Sequence, residues 1–130
     1  MDRKKLAGRT AEAQSAEYLR RKGYVILTLN YACRGGEIDI VAEQPAGGKL
    51  FGIGRKRGGY IVFAEVKMRS SRDYGEAREA VGWRKQQRIR LAAGVYLSEH
   101  QTALQPRFDV IEAYPDGDGF EFNHIENAFE

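Results

Sequence analysis

Tyr60-Ile61-Val62-Phe63-Ala64-Glu65-Val66-Lys67 is the stretch on which the fold turns. Five of its eight residues are β-branched or aromatic, the composition of a strand. Side chains alternate across a strand, so Ile61, Phe63, Glu65 and Lys67 share one face and Val62, Ala64 and Val66 the other. Glu65 and Lys67 therefore project together at the strand's C-terminal end.

Upstream, Tyr24 to Leu29 and Glu37 to Ala42 read as two more strands, the second entered through a Gly35-Gly36 turn. A helix is expected before them, from about Thr10, a plausible N-cap, to Lys22, with Gly23 just past its end. Ala11, Ala16, Tyr18 and Leu19 fall on one arc of that helix, and Gln14, Glu17, Arg20 and Arg21 face away. Glu12 lies inside the apolar arc, where a carboxylate needs a partner or a cation. Downstream, a helix is expected from Glu76 to about Glu99, with Ile89, Ala92, Ala93 and Tyr96 at helical spacing. Strands follow at Arg107–Ala113 and Phe120–Ile125, around a Pro115-Asp116-Gly117-Asp118-Gly119 turn. The order α-β-β-β-α-β-β implies an α/β fold, a mixed sheet with helices against it.

The 130 residues are one domain's worth of sequence. One cysteine, Cys33, excludes an internal disulfide framework and a multi-cysteine zinc site. The basic N-terminus has no apolar segment behind it, so no secretory signal is expected, and no stretch is long enough to cross a bilayer. A cytoplasmic domain without membrane contact is the expectation. Charge is unevenly spread. All 21 basic residues lie at or before Arg107 with 11 of the 18 acids, so that part carries +10, whereas Phe108 to Glu130 carries seven acids and no Lys or Arg. A basic body suits a polyanionic partner, although an Arg-rich solvated surface would look the same.

If the Glu37–Ala42 and Tyr60–Lys67 strands pair antiparallel, Asp39 and Glu65 converge. Two close carboxylates repel unless one is protonated or both share a cation. Oxygen ligands of this kind suit Mg²⁺ or Mn²⁺, which bind one or two carboxylates plus water and substrate phosphate. Lys67 could then stabilise charge on a phosphate or orient a water. The plainer alternative is a surface cluster in which Lys67 neutralises Glu65 and Asp39. Glu12, a third inward carboxylate, shifts the balance toward a site.

Gly8-Arg9 with Glu12, then Gly36-Glu37-Ile38-Asp39-Ile40-Val41-Ala42, then Val62-Phe63-Ala64-Glu65-Val66-Lys67-Met68-Arg69 resemble the YraN-like family of endonuclease-like proteins. That family belongs to the PD-(D/E)XK, restriction-endonuclease-like superfamily. The resemblance continues through Tyr74-Gly75, Lys85-Gln86, Ala93, Tyr96-Leu97 and Arg107-Phe108-Asp109-Val110, from about Gly8 to Val110. It implies a restriction-endonuclease-like αβββαβ core with a metal site at the edge of its central sheet. Asp39 and Glu65 match the metal-binding acids, Lys67 matches the catalytic lysine, and Glu12 corresponds to a helix-borne glutamate of resolvase-like nucleases. The implied activity is Mg²⁺- or Mn²⁺-dependent hydrolysis of phosphodiester bonds in DNA, branched or structured DNA included, by a chain that could act as a homodimer. RNA is not excluded as a substrate. The alternative is a non-catalytic nucleic-acid-binding module with the same fold.

Two features depart from the family's pattern. Twenty-five residues separate Asp39 from Glu65, and the extra length (residues 44–59) carries Lys49, Arg55, Lys56 and Arg57. It reads either as a DNA-gripping flap or as a tolerated surface insertion. The acidic segment 114–130 lies beyond the matched region and could shield a basic cleft. Residues 1–8 are read as a flexible basic N-terminus. Arg69 and Arg72 are placed to contact phosphates, and Lys85 and Gln86 open the long helix where this superfamily often adds a polar site residue. Each has an ordinary solvated alternative. Neither His100 nor His124 sits in a catalytic motif, and Cys33 lacks an evident base. Trp83 reads more readily as a packing residue than as a platform for a nucleobase.

Overall fold

The computed structural model describes residues 3–46, 59–70 and 81–130, with side chains from Thr10 onward in the first helix. The chain runs α1 (Arg3–Arg21), β1 (Val25–Cys33), β2 (Gly36–Gln44), β3 (Tyr60–Met68), α2 (Trp83–Glu99), β4 (Gln105–Asp116), β5 (Gly119–Phe129). The strands form one sheet in chain order, antiparallel at every step except β3–β4, which is parallel. A parallel step needs a crossover, and α2 lies within it. The result is the mixed α/β sheet with an αβββαβ-like order that the strand pattern implies.

The β3 run is apolar on both faces because both are covered. Ile61 and Phe63 pack with Ile38, Val41 and the α2 residues Ile89, Ala92, Ala93 and Tyr96. Val62 and Ala64 pack with Ile40, Ala42, Ile111 and the α1 residues Ala16 and Leu19. The two helices thus flank opposite faces of the sheet, and β3 is its inner strand.

The ends of the elements differ from the expectation for local reasons. The first helix takes in residues 3–8, read from sequence as an N-terminal arm, because Arg, Lys, Leu and Ala there are good helix formers. It stops where expected. Gly23 has φ +91°, its N–H bonds the Arg20 carbonyl at 2.9 Å, and the Tyr24 N–H bonds that of Leu19 at 3.0 Å, the pattern of a Schellman cap. The β1–β2 turn is Arg34-Gly35, one residue earlier than the expected Gly35-Gly36, because Cys33 pairs with Gly36. Gly36 instead opens β2 under α2, where a Cβ would lie 2.4 Å from the Arg88 carbonyl oxygen. Trp83, read as a packing residue, is 70 % exposed at the start of α2. The Glu76 start of the second helix, Lys49, Arg55, Lys56, Arg57 and Arg72 lie outside the described residues.

The acidic C-terminal segment is part of the sheet. β5 is tied down by a buried cluster on β4. The Arg107 guanidinium grips Asp109 with two bonds, Nε to Oδ1 at 2.8 Å and Nη2 to Oδ2 at 2.7 Å. Asp109 also accepts from His124 Nε2 at 2.7 Å and from the Asn127 N–H at 3.0 Å, both on β5. The remaining Arg107 donors reach the Tyr24 hydroxyl, the Gln44 amide oxygen and Glu126. Burial alone would raise the Asp109 carboxyl, but hydrogen bonds from His124, Arg107 and Asn127 outweigh it and hold the group below its ordinary value.

Removing one partner of such a pair strands the other charge. Asp109→Ala should cost about 3–5 kcal/mol at neutral pH, read as a lower urea midpoint. Because the folded pKa is lowered, this contribution is whole above the unfolded value of about 4 and fades as pH falls through the folded one. The gap between wild type and Asp109→Ala should therefore narrow progressively as urea titrations are taken below pH 4.

Candidate active site

The β2–β3 ladder runs from Gln44↔Tyr60 to Ile40↔Ala64. One step further the same register sets Asp39 beside Glu65. There the Asp39 side chain takes over from the backbone, its Oδ2 accepting the Val66 N–H at 2.8 Å. Glu65, only 8 % exposed, has Oε1 3.4 Å from the Lys85 ammonium. Its Oε2 is buried with no hydrogen-bond partner among the described residues.

Burial, then the charge of Asp39, pushes the Glu65 carboxyl up to about 8, with Lys85 pulling the other way. Burial raises Asp39 as well, against the Val66 N–H, a proton donated by Glu65 and the charge of Lys85.

Two helices bring further groups from opposite faces. Glu12, on α1, is half-buried, and burial followed by the Asp39 charge raises its carboxyl, while a hydrogen bond with Asn30 lowers it. Lys85, in the first turn of α2, also pairs with Glu37 at 3.4 Å, and Arg88 Nη2 lies 3.9 Å from the same Glu37 oxygen. Burial opposes the Lys85 charge, but Glu65, Glu37 and Asp39 outweigh it and raise its pKa.

Asn30 is a site neighbour that the sequence reading did not single out. The pairs Leu29↔Ile40 and Tyr31↔Ile38 put it opposite Asp39, and its φ of +53° places it in the left-handed region. Asparagine is the residue other than glycine most at ease there. A lone Asn inside an apolar strand was the available signal.

Other candidates are distributed as follows. Lys67 is exposed, and among the described residues it forms no ion pair; the counter-charge to Glu65 is Lys85. Arg69 is bound up in the fold, its Nε 2.8 Å from Oε2 of the buried Glu112. Gln86 braces the start of α2, donating from Nε2 to the Val81 carbonyl at 2.9 Å and accepting from Arg90 at 3.1 Å.

The donor set suits a hard cation. Every candidate ligand is a carboxylate oxygen, and the unpartnered Glu65 Oε2 beside Asp39 is the atom such a cation would satisfy. Among the described residues no three His, Cys, Asp or Glu side chains close into a ready-made cage.

These features define a small mixed-sheet protein with clustered carboxylates where a ladder ends, flanked by cationic side chains from the second helix. Residues 11–113 match the uncharacterised protein family UPF0102, and the chain belongs to that family. It is 40 % identical over 131 residues to a UPF0102 protein of Pelotomaculum thermopropionicum, covering 98 % of each chain. It is 41 % identical over 130 residues to one of Caldanaerobacter subterraneus, covering 97 % of this chain and 96 % of that one. A Hahella chejuensis relative is 41 % identical over 105 residues, covering 80 % and 74 %. This is the YraN-like family to which the motifs pointed. No helix among the described residues is long and apolar enough to cross a membrane.

The raised Glu65 carboxyl predicts a pH effect on stability. Below the unfolded pKa, about 4.3, the group is protonated in both states and contributes nothing. Between there and about 8 the folded state holds a proton that the unfolded state has lost, so stability falls as pH rises. In EDTA, urea midpoints of the wild type should fall from pH 5 to pH 8, and Glu65→Gln should flatten most of that slope.

Proposed function

We propose that the protein is a divalent-metal-dependent endonuclease acting on DNA. The observation that carries this reading is the buried Glu65, one of whose oxygens has no hydrogen-bond partner among the described residues, beside the half-buried Asp39. Holding two carboxylates together costs stability, and a shared cation would offset that cost.

In this reading Asp39 and Glu65 hold Mg²⁺ or Mn²⁺, and Glu12 supports them from α1. The cation would supply a polarised phosphoryl oxygen and compensation for charge on the leaving oxygen. The protein's own residues do the rest. Lys85 balances the carboxylates in the metal-free state and turns to the phosphate when they are otherwise neutralised. Lys67, exposed at the end of β3, is free to meet phosphate oxygens or to orient a water. Arg55, Lys56, Arg57 and Arg72 are carried in this reading as phosphate contacts. Structured or branched DNA is the substrate class, with RNA as a comparison. A homodimer is its assembly, for which the exposed Val25, Leu27 and Leu29 of edge strand β1 offer an apolar surface.

The test is Mn²⁺ titration calorimetry at low salt, with and without a short duplex. Wild type should bind, and Asp39→Ala/Glu65→Ala should not. Cleavage of linear, nicked, flapped and four-way DNA should require the metal and drop at least about 100-fold in Asp39→Ala and in Glu65→Ala. Duplex affinity of Asp39→Ala, measured in EDTA, should stay level or rise, because a negative charge has left the phosphate-facing surface. Metal-independent DNA binding with no Mn²⁺ uptake, duplex included, would leave a nucleic-acid-binding module in place of a nuclease.

A further inference from the structure

Among the described residues Trp83 is the most exposed large apolar side chain, at 70 %. A solvated tryptophan is uncommon in a folded domain, and at surfaces the residue is characteristic of contacts. Its setting is rigid. Val81, two residues earlier, is 4 % exposed and anchored in the core beneath α2. Gln86 closes back on this corner twice, through its side chain to the Val81 carbonyl at 2.9 Å and through its N–H to the Gly82 carbonyl at 3.0 Å.

The direction of the ring is set by the helix. Trp83 is the first residue of α2, after the Gly82 cap, and side chains on a helix lean toward its N-terminus. The indole therefore leans past the helix end that carries Lys85, whose ammonium reaches Glu65. Arg84 and Arg88 are also exposed on α2, about 100° and 140° around the helix from Trp83, Arg88 with 55 % of its side chain exposed, and the first turn of α2 has no acidic residue. An exposed aromatic ring on a helix end that carries cations and no acid matches a nucleobase flanked by phosphates, whereas a purely apolar protein partner covering that end would desolvate the neighbouring arginine.

We infer that Trp83 is a stacking platform for an unpaired nucleobase, selecting DNA with single-stranded or branched character over intact duplex. A base inside a duplex presents no free face, whereas one at a fork, flap or gap does. This rests on the reading that the protein binds DNA, but it does not require that the DNA be cut.

Trp83 is the chain's one tryptophan, so its emission reports on itself alone. The experiment titrates the full chain in EDTA with a dT15 strand, a forked duplex and a blunt duplex, following tryptophan emission together with anisotropy of a labelled oligonucleotide. Stacking predicts quenching by the strand and the fork and little by the blunt duplex. Trp83→Ala should weaken strand and fork binding by about 5- to 100-fold with duplex affinity unchanged, and Trp83→Phe should restore most of the loss. An exposed site should tolerate both changes, which urea midpoints would verify. Strand binding by anisotropy with no quenching and no loss in Trp83→Ala overturns the stacking role while leaving DNA binding in place. Equal losses on strand and duplex overturn the selectivity. No binding to any of the three sinks the DNA reading and this one with it.

Discussion

Everything at the site follows from β3 being buried on both faces. With α1 on one side and α2 on the other, its backbone runs through the middle of the molecule, and a carboxylate near its end has little water to turn to. Glu65 occupies that position, and Asp39 is brought against it by the continuing β2–β3 register. The ladder itself depends on the carboxylate, since the Val66 N–H bonds to Asp39. The fold thus places two acids together as a consequence of completing its central hydrogen bonds. It offsets the cost with a proton and with Lys85.

The strands and their alternation were legible from the residues, because β-branched and aromatic side chains sustained over six or more positions between turn residues favour a strand over a helix. The convergence of Asp39 with Glu65 followed once antiparallel pairing was assumed. Glu12 was visible as a carboxylate out of place on a helix. The counter-ion was not legible. Lys67 is two residues from Glu65 and on its face, so spacing along the strand pointed to it. Lys85 arrives from another element, across a connection whose length says nothing about where its side chain ends. Asn30 was missed for a related reason, because its importance lies in a cross-strand pairing and a left-handed backbone. Trp83 was misread because composition favours burying tryptophan, whereas the apolar arc of α2 is already filled by Ile89, Ala92, Ala93 and Tyr96.

Among the acids that follow Arg107, some are committed inside the sheet or at its margin. Asp109 and Glu126 meet Arg107, and Glu112 meets Arg69. The same contacts withdraw Arg69 and Arg107 from the basic body. A raw excess of +10 in the first 107 residues therefore overstates what a polyanion would meet there.

What remains matters more for its location than for its size. Arg84, Lys85 and Arg88 lie within the first two turns of α2, the helix end that also carries the exposed indole, and Lys85 and Arg88 reach the carboxylates of Glu65 and Glu37. A phosphate approaching Asp39 and Glu65 would be repelled by both if they stood alone, since unlike a solvated pair they sit in a low-dielectric setting where charge acts at greater strength. Lys85, fixed on the adjacent helix, offsets part of that negative charge. The helix that covers one face of the sheet thereby also supplies the acidic cluster with its counter-charge. Shortening α2 at its start would cost the site its counter-charge before it cost the core its packing, because Ile89 is the first of the helix's buried residues.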